Sequence, residues 1–325
     1  MSSKFSSRFE SILHNFSPLA KRATNTAEKL KQIRAKFEQY KNIYLGRKIT
    51  IFCAGSIGRK DSGRKSDLDL FIIADEEITP LDTIYFLANL ININSELEYE
   101  KFSNNGEFLK VYQLKDLTDL TGSREEDSQN IFTARLLLLL ESTSVCNIEV
   151  YDDSLRRVIE HYCRDEKNHN SFRPLFLLND ILRYWRTLCL NYERIRHDPN
   201  RPWRKKNVNL KFSRMLTVYG TVLPLIAGSD SSHQGIADLC QKSPLERLAI
   251  GLDKIGDPAL ENSFQNFLAN YEYFLALKEN EAIKDDLAST TKRELDRKAD
   301  EFSSFLYTAL THQKIPEIYR KYLVI

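Results

Sequence analysis

The pattern of apolar and polar positions along the chain changes near residue 120. Before that point, two short segments rich in β-branched and aromatic residues predict strands, namely "KITIFCAG" (Lys48–Gly55) and "DLDLFIIAD" (Asp67–Asp75). After it, apolar residues recur at helical spacing. The pattern therefore predicts an α+β block that ends near residue 117 and is followed by an all-helical domain.

The predicted helices follow from apolar spacing and from capping residues. "TPLDTIYFLANLI" has Thr79 as N-cap and Pro80 at the first helical position, which are typical of a helix start. Because of its prolines, "HDPNRPWRKKN" (His197–Asn207) is predicted to be a loop. "LEYEKF" and "GEFLKVYQL" flank "SNNG" and predict a β-hairpin. The other helices are expected at 4–15, 23–43, 126–142, 153–163, 174–194, 208–227 and at about three places between 246 and 312.

These elements suggest a division of the chain into four parts. We expect a helical lead-in (1–45), an α+β core (46–120, extending to about 150), a helical domain (151–312) and a C-terminal tail (313–325). Pro316 is expected to end any helix before the tail.

Composition narrows the class of protein. The chain has 325 residues, is 42% hydrophobic and carries a net charge of +2, so any site for a polyanion must be local. Its longest apolar run, Ala134–Ser142, is too short to span a membrane, and we expect a cytoplasmic protein without membrane insertion. Because the cysteines are odd in number and widely spaced, and the histidines lack metal-ligand spacing, we expect no disulfides and no structural zinc.

The two aspartates at the start of the second predicted strand are candidate metal ligands. Asp67 and Asp69 are separated by one residue, so their side chains point to the same side of a strand. They are either solvated charges at a strand end or ligands of a divalent cation; the apolar "LFII" that follows favours a central strand and a partly desolvated site. Hard carboxylate oxygens suit Mg²⁺ or Mn²⁺ bridging to phosphate oxygens. Gly55 and Ser56 end the neighbouring strand, where a glycine permits close approach of a ligand.

The succession of a strand, Gly55-Ser56, a short loop, Ser66-Asp67-x-Asp69 and an apolar strand resembles the DNA polymerase β-like nucleotidyltransferase superfamily. The resemblance implies a mixed sheet with flanking helices. It also implies transfer of a nucleoside monophosphate from an NTP or dNTP to a hydroxyl, with release of pyrophosphate, at bound Mg²⁺ or Mn²⁺. Gly55, Ser56 and Ser66 would then contact the nucleotide, and Asp67 and Asp69 would hold the metal.

The resemblance also implies a third catalytic carboxylate on a later strand. Glu107 is the first candidate, because it precedes an alternation of apolar residues and shares their face. Glu98 and Glu100 are rivals. Together with Glu96, however, they lie on one polar face, which is typical of the solvent side of an edge strand.

Two cationic stripes in the helical half are candidate triphosphate-binding groups. Each stripe has residues spaced i, i+4 and i+7 on a predicted helix. They are Asn179, Arg183 and Arg186 in one helix, and Asn207, Lys211 and Arg214 in the next. The alternative is that these cations pair with acids of the same domain, such as Asp180 or Glu193.

Only the order of the domains and the tyrosines near the C-terminus suggest an acceptor for the predicted reaction. A catalytic block followed by a helical domain, with tyrosines near the C-terminus, resembles bacterial anti-phage defence nucleotidyltransferases of the Hailong type. That resemblance implies a single-stranded oligonucleotide primed on Tyr322 or on its neighbour Tyr319, and a protein partner from a defence operon. The alternative, which the usual packing of such residues favours, is that Tyr322, Leu323 and Ile325 dock the end of the chain. Protein or small-molecule nucleotidylylation (AMPylation or UMPylation) and a non-catalytic nucleotide-binding partner are the alternative functions.

Overall fold

The computed structural model describes residues 7–102, 106–168, 172–196, 203–280, 283 and 289–324. It confirms the α+β class, with a small mixed sheet and many helices. The chain divides into two compact units, which we call the sheet unit and the helical unit. The sheet unit consists of Arg22–Lys167 and Ile236–Gln241, and the helical unit of Met1–Lys21, Asn168–Gly235 and Lys242–Ile325.

The strands belong to the first half of the chain, and helices occur throughout it. The strands are β1 (Ile49–Cys53), β2 (Leu70–Ala74), β3 (Val111–Gln113) and β4 (Thr143–Cys146). The first helices are α1 (Arg8–Asn15), α2 (Ser17–Gln39), α3 (Gly55–Gly58), α4 (Pro80–Glu96), α5 (Asp116–Asp119), α6 (Arg124–Ser128), α7 (Ile131–Leu140) and α8 (Ile148–Tyr162). The later helices are α9 (Leu175–Ile195), α10 (Trp203–Asn209), α11 (Met215–Ile226), α12 (His233–Cys240), α13 (Pro244–Ile255), α14 (Glu261–Glu279), α15 (Ser289–Leu310) and α16 (Glu317–Lys321). A π-helical segment, Leu210–Arg214, joins α10 to α11, and short 3-10 turns lie at Lys41–Ile43, Glu166–Asn168 and Pro258–Leu260.

The sheet has the strand order β3-β2-β1-β4. β1 pairs antiparallel with β2, with Cys53 opposite Leu70, and antiparallel with β4. β2 pairs parallel with β3, with Ile72 opposite Val111. Both strands predicted from the apolar pattern are present, as β1 and β2, at the centre of the sheet.

Helices cover the two faces of this sheet. On one face, α2 and α4 pack their apolar side chains against one layer of strand residues, and the members of this core include Ile33, Phe37, Phe86, Leu90 and Ile93. On the other face, Phe52 stacks on Phe71 with ring centroids 5.3 Å apart, and Phe71 stacks on Tyr112 at 5.9 Å. Tyr151 of α8 lies 6.3 Å from Phe52. Strands β1 and β2 are therefore buried on both sides, as their apolar sequence predicts.

The helix start predicted at Thr79 is confirmed in detail. The Thr79 hydroxyl accepts a hydrogen bond from the Asp82 amide, and the Asp82 carboxylate accepts one from the Thr79 amide, which makes a reciprocal capping box. Arg47 pairs with the same carboxylate at 2.9 Å. The hydrogen bond from Arg47, together with those from Thr79, lowers the pKa of Asp82 to about 2.

Two of the predictions outside the strand pair are wrong. The predicted β-hairpin between Leu97–Phe102 and the segment that contains β3 does not form. Leu97–Phe102 is not a strand, and β3 instead pairs parallel with β2; residues 103–105 lie outside the described part. The reason is that α4 continues to Glu96 and provides the long crossover that a parallel pair requires.

The loop predicted at His197–Asn207 is partly helical. Helix α10 begins at Trp203, and residues 197–202 lie outside the described part. The sequence pattern does not predict strand β4, because four residues carry little periodic signal.

A buried ion pair joins α6 to α7 in the sheet unit. Glu126 and Arg135 are both fully buried, with 2.7 Å between carboxylate and guanidinium. The Gly122 amide donates to Glu126, and Arg135 donates to the Tyr162 hydroxyl at 2.7 Å and to the Leu117 carbonyl oxygen at 3.2 Å. These hydrogen bonds compensate two charges that would otherwise be costly to bury.

Replacing Glu126 by Gln should therefore lower the free energy of unfolding by about 3 kcal/mol, because the Arg135 charge stays buried without its counterion. Urea unfolding followed by circular dichroism measures this change. The control is Glu160→Gln, which removes an ion pair of 2.6 Å between half-exposed side chains and should cost less than about 1 kcal/mol. Equal losses in the two variants would contradict the argument.

Candidate functional site

The Asp-x-Asp segment runs directly into β2. Leu68 is buried in the core beneath the sheet, whereas Asp67 is exposed and Asp69 is half-buried. This alternation places both carboxylates on the side opposite Leu68. Among the residues that the structure describes, Asp67 has no hydrogen-bond or ion-pair partner. Its oxygens are thus available to a ligand.

Gly55 lies against the carboxylate of Asp69. The pairing of Cys53 with Leu70 continues into a hydrogen bond of 2.9 Å from the Ala54 amide to the Asp69 carbonyl oxygen. At the next residue the chain turns into α3 with a φ of +66°. A Cβ at Gly55 would lie 2.5 Å from Asp69 Oδ2, which is too close for any side chain unless the carboxylate moves. The backbone angle favours glycine at this turn, and a side chain there would in addition displace the Asp69 carboxylate.

Cys53 and Ser56 line the buried side of the same turn. Burial raises the pKa of the Cys53 thiol above its ordinary value, and the negative charge of Asp69 raises it further. The thiol is consequently neutral at physiological pH. Ser56 follows Gly55 in α3 and is only 9% exposed, and its carbonyl oxygen accepts the Asp61 amide at 2.9 Å.

A buried charge cluster holds the loop between α3 and the aspartates. Arg59 donates to Glu141 at 2.8 Å and to Asp61 at 3.1 Å, and all three side chains are at most 5% exposed. A Cβ at Gly58 would meet the Glu141 carbonyl oxygen at 1.9 Å, so the two backbones touch. Sequence reasoning missed this cluster. Its only local signal is the Arg-x-Asp spacing that follows Gly58.

Hydrogen bonds to α2 fix the remainder of that loop. Thr26 and Ser62 share a hydrogen bond between their hydroxyls at 3.0 Å, and Lys29 donates to the Gly63 carbonyl oxygen. The Ser66 hydroxyl accepts the Gly63 amide at 2.8 Å. Ser66, predicted to contact a nucleotide, therefore closes the turn that leads into Asp67.

Glu107 lies at the same edge of the sheet as the two aspartates. Because β2 and β3 are parallel, the residues before each strand meet at one edge, and Glu107 precedes β3 as Asp67 precedes β2. The Glu107 side chain is exposed. Burial raises the pKa of Tyr112, and the charge of Glu107 adds to that shift, so Glu107 lies near the Tyr112 ring.

Lys110 immediately precedes β3. Its ammonium lies 4.9 Å from the Tyr112 ring centroid and donates to the Gln129 carbonyl oxygen, and burial lowers its pKa. Phe108 contacts Phe71 with ring centroids 6.1 Å apart. Phe108 and Lys110 thus lie directly before β3, the strand on which the resemblance implies an acid.

The rival carboxylates Glu98 and Glu100, and Glu96 before them, lie at or just after the end of a helix and not on a strand. Glu96 is the last residue of α4, where it accepts hydrogen bonds from Tyr40 at 2.5 Å and Lys36 at 3.1 Å. Glu98, with a φ of +57°, and Glu100 are exposed in the turn that follows. The polar edge strand predicted for them is wrong.

Within the described residues, no group of three or more His, Cys, Asp or Glu side chains is arranged to hold a metal ion. The pair Asp67 and Asp69 nevertheless fits Mg²⁺ by its chemistry. Mg²⁺ commonly binds one or two carboxylates and completes its octahedron with waters and substrate phosphates.

The cationic stripes of the helical unit have acidic neighbours. Arg183 in α9 lies 3.6 Å from Asp180, the partner named by the alternative interpretation. Lys211, in the π-helical segment, pairs with Asp296 of α15 at 3.1 Å. Arg186 is exposed near Tyr219, and Arg214 is half-buried. A triphosphate-binding role of these four residues stays a prediction.

Comparison of the chain with protein-family models, curated proteins and solved structures gives no match. In the described part of the chain, no helix is both long and apolar enough to span a membrane.

The contact between Gly55 and Asp69 can be tested by a double-mutant cycle. Gly55→Ala should destabilise the protein more than Gly46→Ala, because Gly46 has a similar φ of +74° but open space around it. In an Asp69→Ala background this excess should disappear, since the obstructing atom is Asp69 Oδ2. We expect a coupling of about 1 kcal/mol or more by urea unfolding. Additive effects would contradict the contact.

Proposed function

We propose that the protein is a metal-dependent nucleotidyltransferase of the DNA polymerase β-like kind. The observation that carries the proposal is the geometry around Gly55: a side-chain-free turn lies against Asp69, while Asp67 is exposed and unpartnered among the described residues. The glycine turn at Gly46 has a similar backbone angle but no carboxylate beside it. The mixed sheet with helices on both faces agrees with the fold that the sequence resemblance implies.

The proposed reaction replaces a phosphoanhydride bond of the nucleotide by a phosphodiester bond to the acceptor. An acceptor hydroxyl oxygen attacks the α-phosphorus of the nucleotide, the bond from that phosphorus to the β-phosphate bridging oxygen breaks, and the hydroxyl proton passes to solvent. Mg²⁺ or Mn²⁺, when bound by Asp67 and Asp69, would neutralise charge on the phosphate oxygens. The chain's own contribution is rigidity. The Arg59–Asp61–Glu141 cluster holds the loop from Gly55 to Asp67 in place before substrate arrives.

Asp67→Asn and Asp69→Asn should each reduce pyrophosphate release by at least about 100-fold, because an amide cannot replace a charged metal ligand. The measurement is pyrophosphate release from each NTP and dNTP with Mg²⁺. Glu77→Gln is the matched control, since Glu77 is an exposed acid after the opposite end of β2. Unfolding curves establish that the variants are folded. Wild-type pyrophosphate release from the Asp67/Asp69 double variant would rule out the proposal.

The non-catalytic alternative makes a different prediction in the same experiment. A nucleotide-binding partner would bind ATP with Mg²⁺ by calorimetry, and its binding would depend on Asp67 and Asp69, yet it would release no pyrophosphate. A protein or small-molecule nucleotidylyltransferase would release pyrophosphate only when its acceptor is added. Pyrophosphate release without an added acceptor thus distinguishes an enzyme that uses its own chain or a nucleotide as acceptor from the other two functions, and release after addition of an acceptor distinguishes those two from each other.

For the acceptor, we propose the hydroxyl of Tyr322, followed by synthesis of a single-stranded oligonucleotide in an anti-phage defence system with a protein partner. Support comes from the resemblance in layout and from the surroundings of the tail tyrosines. The Tyr319 ring lies 5.3 Å from the Arg173 guanidinium, whereas Tyr322 is a half-exposed residue at the end of α16. Within the described part of the chain, Tyr319 has this cation contact and Tyr322 has none.

Incubation with dATP or ATP and Mg²⁺ should add nucleotide mass to the wild-type chain, and Tyr322→Phe should abolish the addition. Tyr319→Phe is the control, because it keeps the ring that contacts Arg173 and should leave labelling unchanged. Intact-mass spectrometry reads both results. Undiminished labelling of the Tyr319→Phe/Tyr322→Phe variant would exclude the tail as acceptor, without touching the catalytic proposal.

A further inference from the structure

Helix α4 exposes an apolar stripe on the face that points away from the sheet. Leu81, Ile84, Tyr85 and Ile91 are 78%, 65%, 49% and 53% exposed, and Ala88 lies exposed between them. Their spacing of three and four residues places them on one side of the helix. We call this set the α4 stripe. The opposite side of α4 is also apolar and packs on the sheet. A surface helix ordinarily has only one apolar face.

The α4 stripe carries no charge. Residues 83–95 contain no Asp, Glu, Lys or Arg. The acids at the two ends of the helix are already paired within the sheet unit, Asp82 with Arg47 at 2.9 Å and Glu96 with Lys36 at 3.1 Å. Helix α4 contains no Lys or Arg. Amphipathic membrane-binding helices normally use these residues to bind an anionic lipid surface. The stripe is therefore suited to a protein surface that is itself apolar and uncharged.

We propose that the α4 stripe binds the same stripe of a second copy of the chain, with the two helices antiparallel about a two-fold axis. The stripe is nearly symmetrical about position 86, so antiparallel packing brings Leu81 opposite Ile91 and Ile84 opposite Ala88 of the second copy. At each end of the interface Leu81 packs against Ile91, and near the axis Ile84 packs against the smaller Ala88. Ala88 allows the helices to approach closely.

The area of the stripe agrees with a weak dimer. From Leu81 to Ile91 the stripe is about 15 Å long. With about 200 Å² for each fully exposed large side chain, the exposed fractions amount to roughly 500 Å² per copy. The two copies together would bury about 1,000 Å², which is the lower limit for a specific interface. The dimer should accordingly have a dissociation constant in the micromolar range and dissociate on dilution.

Sedimentation equilibrium of the full chain over a wide concentration range tests the proposal. Wild type should change from monomer to twice that mass as concentration rises. Ile84→Glu and Ala88→Lys should each remain monomeric, because each buries an unpaired charge at the crossing. Leu190→Glu is the matched control, since Leu190 is 71% exposed on α9, and it should dimerise like wild type.

Mixing the two charged variants provides the decisive result. In the antiparallel arrangement, Glu at position 84 of one copy faces Lys at position 88 of the other, while the second Ile84–Ala88 pair stays native. An equimolar mixture of Ile84→Glu and Ala88→Lys should therefore recover the dimer mass that neither variant shows alone. A wild type that stays monomeric well above micromolar concentration, or a mixture that does not dimerise, would overturn the proposal and leave the stripe to a different partner. Catalytic activity enters none of these measurements.

Discussion

The close approach of the Gly55 backbone to the Asp69 carboxylate is the contact on which the proposed site depends. It results from the antiparallel register of β1 and β2, which continues through the hydrogen bond from the Ala54 amide to the Asp69 carbonyl oxygen. A side chain at residue 55 would lie where the Asp69 carboxylate is, so glycine leaves room for that carboxylate at the turn.

Buried charge contributes to the same rigidity. Arg59, Asp61 and Glu141 tie the loop after α3 to the end of α7, and Glu126 with Arg135 fixes the start of that helix. A buried ion pair adds little net stability compared with apolar packing, but each pair admits few alternative geometries. Such pairs are consistent with a loop whose shape matters. The ion pair between Lys211 and Asp296 in the helical unit differs, because these side chains are 37% and 49% exposed and can exchange partners more easily.

The proposed catalytic and self-association surfaces use different parts of the sheet unit. The aspartates precede β2, whereas the α4 stripe lies on the helix that follows β2 and faces away from the sheet. Mutations in the stripe change exposed side chains and leave the core residues of α4, such as Phe86 and Leu90, in place. The two proposals can consequently fail independently.

The sequence by itself determined the features that depend on neighbouring residues. Strands β1 and β2, the alternation of Asp67 and Asp69 around buried Leu68, and the capping box at Thr79 all follow from local spacing. Tertiary structure decided the rest, because the partners are remote in the chain. No periodic pattern in the sequence indicates the parallel pairing of β3 or the place of β4 beside β1. The same is true of the contact between Arg59 and Glu141, which are 82 residues apart. A one-dimensional pattern identifies which residues are buried, but three-dimensional packing selects their partners.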